Sequence, residues 1–313
     1  MGQKTVARPP DERSETRFHV HCEDLFKIYK IANLEVVALR GLDLRVQRGE
    51  LMALVGSSGS GKSTLLNILA GLDLPSAGSA LVNGRNLITM DETELVDYRR
   101  SEVGFVWQQT GRNLIPYLSA QENIEIPMIL NGLPRKEARG RSRELLEAVA
   151  LGDKRRARPE QMSGGEQQRT SIAVALANNP PLLLADEPTG ELDTHTSEEI
   201  FALFAALNRN LGVTVIVVTH DPAIAARVDR VVTIRDGRIA TETFRHIEYG
   251  HAGERKTVHR EYTVVDRAGR LQIPKPYVDS LDLRERARVF LQEDHVSVYP
   301  EDAGPDDGAT QEQ

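Results

Sequence analysis

Nine consecutive residues constrain this chain more than any others: Gly56-Ser57-Ser58-Gly59-Ser60-Gly61-Lys62-Ser63-Thr64. They fit the phosphate-loop pattern G-x-x-x-x-G-K-[ST]. The apolar residues 51–55 before them read as a buried strand, and residues 65–70 after them as a helix. The glycines let the backbone curl, so that successive N–H groups face inward toward phosphate oxygens. The helix N-terminus adds partial positive charge at the same place. Lys62 is then placed to reach β and γ phosphates, and the Ser63 hydroxyl to ligate Mg²⁺. At average composition a chain of this length meets the bare pattern by accident roughly once in a hundred times. The strand and helix on either side make an accident rarer still.

A second segment carries complementary chemistry. Residues 162–169 read Met-Ser-Gly-Gly-Glu-Gln-Gln-Arg, and an apolar helical stretch follows over 171–177. Residues 181–187, Pro-Leu-Leu-Leu-Ala-Asp-Glu, read as a buried parallel strand with two acids at its carboxyl end, where ligands bind in open α/β sheets. Asp186 is placed to hold Mg²⁺ through water, and Glu187, one residue on, to polarise a water for in-line attack. An Asp-Glu pair alone would be read as a solvated strand end; the phosphate loop changes that reading.

Composition sets limits. The 313 residues leave room for one large α/β domain and a small appendage. A net charge of −7 argues against a general nucleic-acid binder. One cysteine, Cys22, allows no internal disulfide and fits a reducing compartment. No secretory leader is evident, and no apolar run approaches the ~20 residues that span a bilayer. Any membrane portion is therefore expected on another polypeptide.

Over residues 17–245 the motifs and their order resemble the nucleotide-binding subunit of ATP-binding cassette (ABC) transporters. Residues 163–167, Ser-Gly-Gly-Glu-Gln, match that family's signature loop, with Met162 where Leu is usual and Glu166 where other branches have Gln. Residues 105–108, Phe-Val-Trp-Gln, resemble the Q-loop, with Gln108 preferred over Gln109. Residues 190–193 resemble the D-loop and end on Asp193. Residues 217–221 resemble the switch segment, with His220. Tyr29 lies 27 residues before Gly56, where the family keeps an aromatic for stacking on adenine. The resemblance implies an ATPase whose cofactors are ATP and Mg²⁺. Residues 56–64 with Tyr29 would hold the nucleotide in one copy, and Ser163, Gly164, Gly165, Glu166 and Asp193 would do so from a second. Ser63, Gln108 and Asp186 would face the metal, and Lys62, Gln108, Glu187 and His220 would serve the reaction. It also implies a head-to-tail homodimer with two-fold symmetry, closing on ATP and reopening after hydrolysis. The partner would be a separately encoded transmembrane permease, and the subunit would lie at the cytoplasmic face of the membrane. The stretch 111–128 with the signature loop resembles the lipoprotein-release, macrolide-export and cell-division branch. One departure is Val174, where that branch usually has Arg.

The fold expected is therefore α/β: a P-loop NTPase cassette with a mixed sheet core, an antiparallel β subdomain and a helical subdomain, plus a small β-rich domain. Residues 1–16 read as a disordered tail, 17–245 as the cassette, closing with an Asp-Gly hairpin over 230–239. Residues 246–260 read as a polar linker, whose three histidines lack metal-ligand spacing. Residues 261–300 read as strand, turn, strand (270–274), helix (277–281), strand and strand. Residues 265–274 resemble the swapped-hairpin domain of AbrB/MazE-like regulators, which exist as interlaced dimers. Residues 301–313 read as a disordered acidic tail. That resemblance opens an alternative, an ATP-responsive DNA-binding regulator with Arg284, Arg286 and Arg288 as a stripe. Residues 255–299 hold nine Arg or Lys, interleaved with seven Asp or Glu. This weakens the stripe, and a dimerising or regulatory role is preferred. Repair cassettes with coiled-coil insertions and translation cassettes with two phosphate loops are not matched.

Overall fold

A computed structural model describes residues 18–31, 34–220, 224, 227–249 and 255–301. The two expected tails therefore lie outside the described residues, apart from Glu301. The chain divides into two units, Met1–Tyr262 and Thr263–Gln313.

The first unit is built on a seven-stranded sheet. Five parallel strands, β3 (Leu51–Val55), β6 (Val103–Val106), β7 (Leu182–Asp186), β8 (Thr214–Val218) and β9 (Arg230–Arg235), stand in the order β9-β3-β8-β7-β6. Strand β10 (Arg238–Tyr249) pairs antiparallel with β9, and β11 (Arg255–Thr263) lies beyond it at the edge. The hairpin joining β9 to β10 turns at Asp236 and Gly237, both with positive φ, 51° and 75°. This is the turn expected of an Asp-Gly pair, whose twist matches that of the strands it joins. Register puts Leu54 beside Val218, Val218 beside Asp186, and Ala185 beside Val106. The carboxyl ends of four adjacent strands thus open at one edge.

Strands β3, β7 and β8 are predominantly apolar because both their faces are covered. Successive residues alternate between two cores: Leu183 and Ala185 of β7 enter one, Leu182 and Leu184 the other. The first core is closed by α3 (Ala120–Leu130), α4 (Arg135–Ala148), α5 (Gly164–Ala175) and α6 (Thr194–Leu211), through Ile124, Leu145, Ile172 and Phe201. The second is closed by α1 (Lys62–Leu69) and by a four-stranded antiparallel sheet in the order β2-β1-β4-β5. Those strands are β1 (Phe18–Ile31), β2 (Leu34–Gln47), β4 (Ala77–Val82) and β5 (Arg85–Asn86). Helix α2 (Glu92–Ser101) adds Tyr98, fully buried, whose hydroxyl donates to the Leu69 carbonyl at 2.5 Å. Ser119 and Glu122 form a capping box that starts α3, and Asp91 with Glu94 does the same for α2.

Two expectations are corrected. The stretch 246–260 is not a plain linker: it carries the end of β10 and most of β11, on the edge of the central sheet. Its polar composition concealed this, because an edge strand satisfies its backbone by pairing on one side and needs no apolar run. Residues 270–274 form no strand. The Asp266 carboxylate accepts from the amides of Ala268 and Arg270 at 2.9 Å each and from Arg270 Nε at 2.7 Å. The Arg270 amide is thereby committed to an Asx turn rather than to a ladder. The other elements among the described residues of the second unit are a short helix, α7 (Lys275–Ser280), and an antiparallel pair, β12 (Ala287–Leu291) and β13 (Val296–Pro300).

Candidate functional site

The loop between β3 and α1 stands at the open edge of the sheet. Its shape depends on glycine at two points. At Gly56 a Cβ would lie 2.2 Å from the Ile234 carbonyl oxygen, and at Gly61, with φ 106°, 2.6 Å from that of Ala38. The loop folds around Lys62, only 8% exposed, whose Nζ donates to the carbonyls of Gly56 at 2.9 Å and Ser57 at 3.0 Å. Those are bonds an ammonium can exchange for phosphate oxygens. Ser57, Ser58, Gly59 and Ser63 are exposed, Ser60 is buried and Thr64 half-buried.

Ser63 Oγ donates to Asp186 Oδ1 at 3.2 Å, so two sequence-predicted metal-facing residues meet. Burial pushes the Asp186 carboxyl up, and the neighbouring Glu187 charge adds to this, while the Ser63 hydroxyl and Lys62 oppose it. A carboxylate so placed gains from a nearby cation. Two hard oxygen donors with room for phosphate oxygens and water suit Mg²⁺, which is commonly held by one or two protein ligands beside a phosphate. Among the described residues no cluster of three or more His, Cys, Asp or Glu forms a closed metal cage.

Glu187 is the strained residue of the site. Its φ is 47°, uncommon for a residue with a side chain. The amide donating to the Val218 carbonyl at 2.9 Å and the Gly190 amide donating back to its carbonyl at 3.1 Å hold it there. Glu187 Oε2 lies 2.6 Å from Nδ1 of His220, which joins the end of β7 to the segment after β8. Gln108, two residues past β6, is exposed; its Nε2 would lie 3.4 Å from a methyl added to Gly190. Lys62, Ser63, Asp186, Glu187, His220 and Gln108 thus gather at one edge. Asp221 lies outside the described residues.

The signature loop stands apart. Ser163 is the N-cap of α5, and its hydroxyl accepts from the Glu166 amide at 3.3 Å. The Glu166 carboxylate accepts from the Ser163 amide at 2.8 Å and pairs with Lys154 at 3.2 Å. These bonds hold it below the usual glutamate range, against a smaller opposing effect of burial. Glu166, expected to touch nucleotide, thus shares its side chain between the cap of its own helix and Lys154. The first amides of α5, at Gly164 and Gly165, have no intrahelical acceptor. A Cβ at Gly165 would meet Thr196 Cγ2 at 2.6 Å, so this glycine also lets α5 approach α6 closely. Asp193 is the N-cap of α6, accepting from the Thr196 amide at 2.9 Å. Among the described residues no hydrogen bond joins Ser163–Glu166 to the phosphate loop.

Tyr29 sits on β1, away from these motifs in sequence. Its hydroxyl donates to Asp73 Oδ2 at 2.9 Å. Asp73 and its partner Lys27 were missed in the sequence. Lys27 and Tyr29 share a strand face by period 2, but nothing marks Asp73, 44 residues away.

Residues 39–190 match the family described as ABC transporter. The chain is 48% identical over 227 residues to an uncharacterized ABC transporter ATP-binding protein of Thermotoga maritima, covering 72% of this chain and 96% of that one. It is 46% identical over 224 residues to the macrolide export ATP-binding/permease protein MacB of Brucella melitensis, covering 72% of this chain. There it spans 34% of the relative's length. Among solved structures it is similar to a dimeric post-hydrolysis ATP-binding cassette bound to ADP and Pi. That comparison has a TM-score of 0.66 and 41% identity, and covers 72% of this chain and 98% of the other.

Proposed function

The chain belongs to the ABC transporter family as an ATP-binding and ATP-hydrolysing subunit, and from that premise we propose how its residues divide the work. Lys62 and the amides of residues 56–64 hold the phosphates, and Tyr29 stacks on the adenine. Ser63 and Asp186 would hold Mg²⁺, with Gln108 facing it, and the bound ion would supply neutralisation of phosphate charge. Glu187 orients the attacking water, and His220 holds Glu187 in place.

The separation of the signature loop from the phosphate loop supports a second part of the reading. Ser163, Gly164 and Gly165, with Asp193 beside them, reach the γ-phosphate of another copy, so two copies close head to tail around ATP. A transmembrane permease related to the permease share of the macrolide exporters receives the motion, as in the macrolide-export and lipoprotein-release branch. We take that permease to be a separate polypeptide. Among the described residues no helix is long and apolar enough to cross a membrane. A groove of about 270 Å³ offers it a seat, with Phe105, Pro127, Leu130 and Val174 apolar and Arg99 and Arg100 basic. It receives an apolar helix carrying an acid. On this reading the subunit lies at the cytoplasmic face of the membrane, held there by the permease.

The second unit is read as an AbrB/MazE-like swapped-hairpin module that dimerises. None of residues 263–301 is buried. A module of about 40 residues without disulfide or metal needs a partner surface to form a core. The DNA-binding alternative gains nothing here: Arg284 pairs with Asp282, Arg286 with Glu301, and Arg288 lies over Phe290.

The observation that carries the catalytic assignment is Glu187, strained, half-shielded and 2.6 Å from His220. Glu187→Gln is expected to keep ATP affinity and to lower turnover by roughly 10²-fold or more, by loss of general-base positioning. Turnover within about twofold of the parent, a difference of ~0.4 kcal/mol in barrier, removes Glu187 from this role.

A further inference from the structure

The phosphate loop and Tyr29 lie on different sheets, so something must fix the distance between the phosphate site and the base site. Tyr29 is on β1 of the antiparallel sheet; the phosphate loop follows β3 of the central one. The loop leaving α1 bridges them. Helix α1 begins at Lys62, and beyond its end the amides of Leu72 and Asp73 both donate to the Asn67 carbonyl, at 2.9 and 3.2 Å. Asp73 then accepts from the Tyr29 hydroxyl at 2.9 Å through one oxygen and from Lys27 Nζ at 2.5 Å through the other. Lys27 Nζ also donates to the Leu74 carbonyl at 2.7 Å and stands 4.9 Å from the Tyr29 ring centroid. The Lys27 and Asp73 side chains are only 12% and 28% exposed. The same loop is stitched to β1 by the Ser76 amide on the Phe26 carbonyl at 2.7 Å and the Ile28 amide on Ser76 Oγ at 3.0 Å.

We propose that Asp73 and Lys27 are positioning residues for the nucleotide base. They tether the Tyr29 phenol to the end of the phosphate-loop helix, so that the ring stands ready at a fixed distance from the phosphates. Held at its hydroxyl and covered on one face by the ammonium, the ring keeps its opposite face for the purine. Freezing it beforehand removes an ordering cost from binding. The ammonium also draws electron density from the ring, which favours stacking on an electron-rich base. Burial raises the Asp73 carboxyl, but its bonds to Lys27 and Tyr29 outweigh this and hold it below the usual range, so it is charged at neutral pH. This proposal rests on the adenine-stacking reading of Tyr29.

The test compares affinities of the full chain for ATP and for inorganic tripolyphosphate, which has no base. Tyr29→Ala should weaken ATP roughly tenfold or more, the loss of one base–aromatic stack, and leave tripolyphosphate unchanged. Asp73→Ala should weaken ATP about threefold to tenfold, again without touching tripolyphosphate. Tyr29→Phe, which keeps the ring and loses only the tether, should match Asp73→Ala and guard against a folding defect in the latter. Combining it with Asp73→Ala should add nothing further. If Tyr29→Ala discriminates the two ligands while Asp73→Ala and Tyr29→Phe do not, the tether is refuted and the stacking reading stands. Equal weakening of both ligands by Asp73→Ala and Tyr29→Phe, or additive effects of the two, also overturns it. If Tyr29→Ala itself fails to discriminate, the base site lies elsewhere and the tether falls with it.

Discussion

His19 is 2% exposed, at the start of β1, with Nδ1 2.6 Å from the Thr214 hydroxyl of β8. That hydroxyl already accepts from the Gly49 amide at 2.9 Å, which leaves its proton for the His19 ring. Nε2 has no partner. The pair therefore suits a neutral imidazole. Burial first, then the Arg48 charge, pulls its pKa from 6.5 down to about 4. The sign follows from proton counting. Between these values the unfolded chain binds the proton and the folded chain does not, so stability is full above 6.5 and is lost as pH falls toward 4. The loss between pH 7 and pH 5 should be about 2 kcal/mol from this residue alone. Denaturant titration at the two pH values, against His19→Gln, measures it: the parent should lose more stability than the variant by about that amount. Equal losses would mean that His19 is already protonated in the fold. The same residue marks a limit of sequence reading. His19 and His21 at period 2 are legible as one strand face, but a partner 195 residues away is not.

At the scale of elements, the phosphate loop, α1 and the acid-tipped β7 were legible because each writes its chemistry into one short run. Leu51–Val55 is apolar since both faces are covered, and Gly61 is required where a Cβ would strike the Ala38 carbonyl. What stayed hidden depends on pairing across the chain: β11 on a sheet edge, the Asp266 turn that cancels a strand at 270–274, and the backbone strain at Glu187. Helix α5 shows both sides. Its start is legible from Ser163 and Glu166 as a capping box, yet only the structure shows that Glu166 is taken up there and by Lys154. With no hydrogen bond joining its first turn to its own phosphate loop among the described residues, α5 should act on a second copy. Ser163→Arg places a bulky cation at that N-terminus. It should leave ATP binding to the phosphate loop within a few-fold while abolishing hydrolysis, since closure is blocked. Mixed with Lys62→Ala subunits, it should regain activity, because each mixed dimer joins an intact phosphate loop to an intact signature loop. Full activity of Ser163→Arg alone would show that α5 contributes nothing in trans.

For the whole molecule, the second unit poses a question of association. Seven apolar or aromatic residues in it stand 49–84% exposed: Val265, Leu271, Tyr277, Leu281, Val289, Leu291 and Val296. At ~25 cal/mol per Å² of apolar surface, burying such a set against a second copy supplies what this unit lacks alone. If cassette closure depends on bound ATP, as proposed, an association that persists without nucleotide must come from elsewhere. If the second unit dimerises, it tethers two cassettes and raises their effective concentration toward ~millimolar. The full chain should then be dimeric without nucleotide. A chain ending at Tyr262, which keeps the central sheet and all but one residue of β11, should be monomeric. The cut falls there rather than at Arg245, because removing β10 and β11 would strip the edge of the central sheet and confound the result. Light scattering at micromolar concentration reads the two states directly. ATPase activity should fall more steeply on dilution for the short chain, since its encounters are bimolecular while those of the tethered pair are not. A monomeric full chain without nucleotide refutes the tether. A dimeric short chain moves the association into the first unit, where the open side of β11 is the surface to examine next.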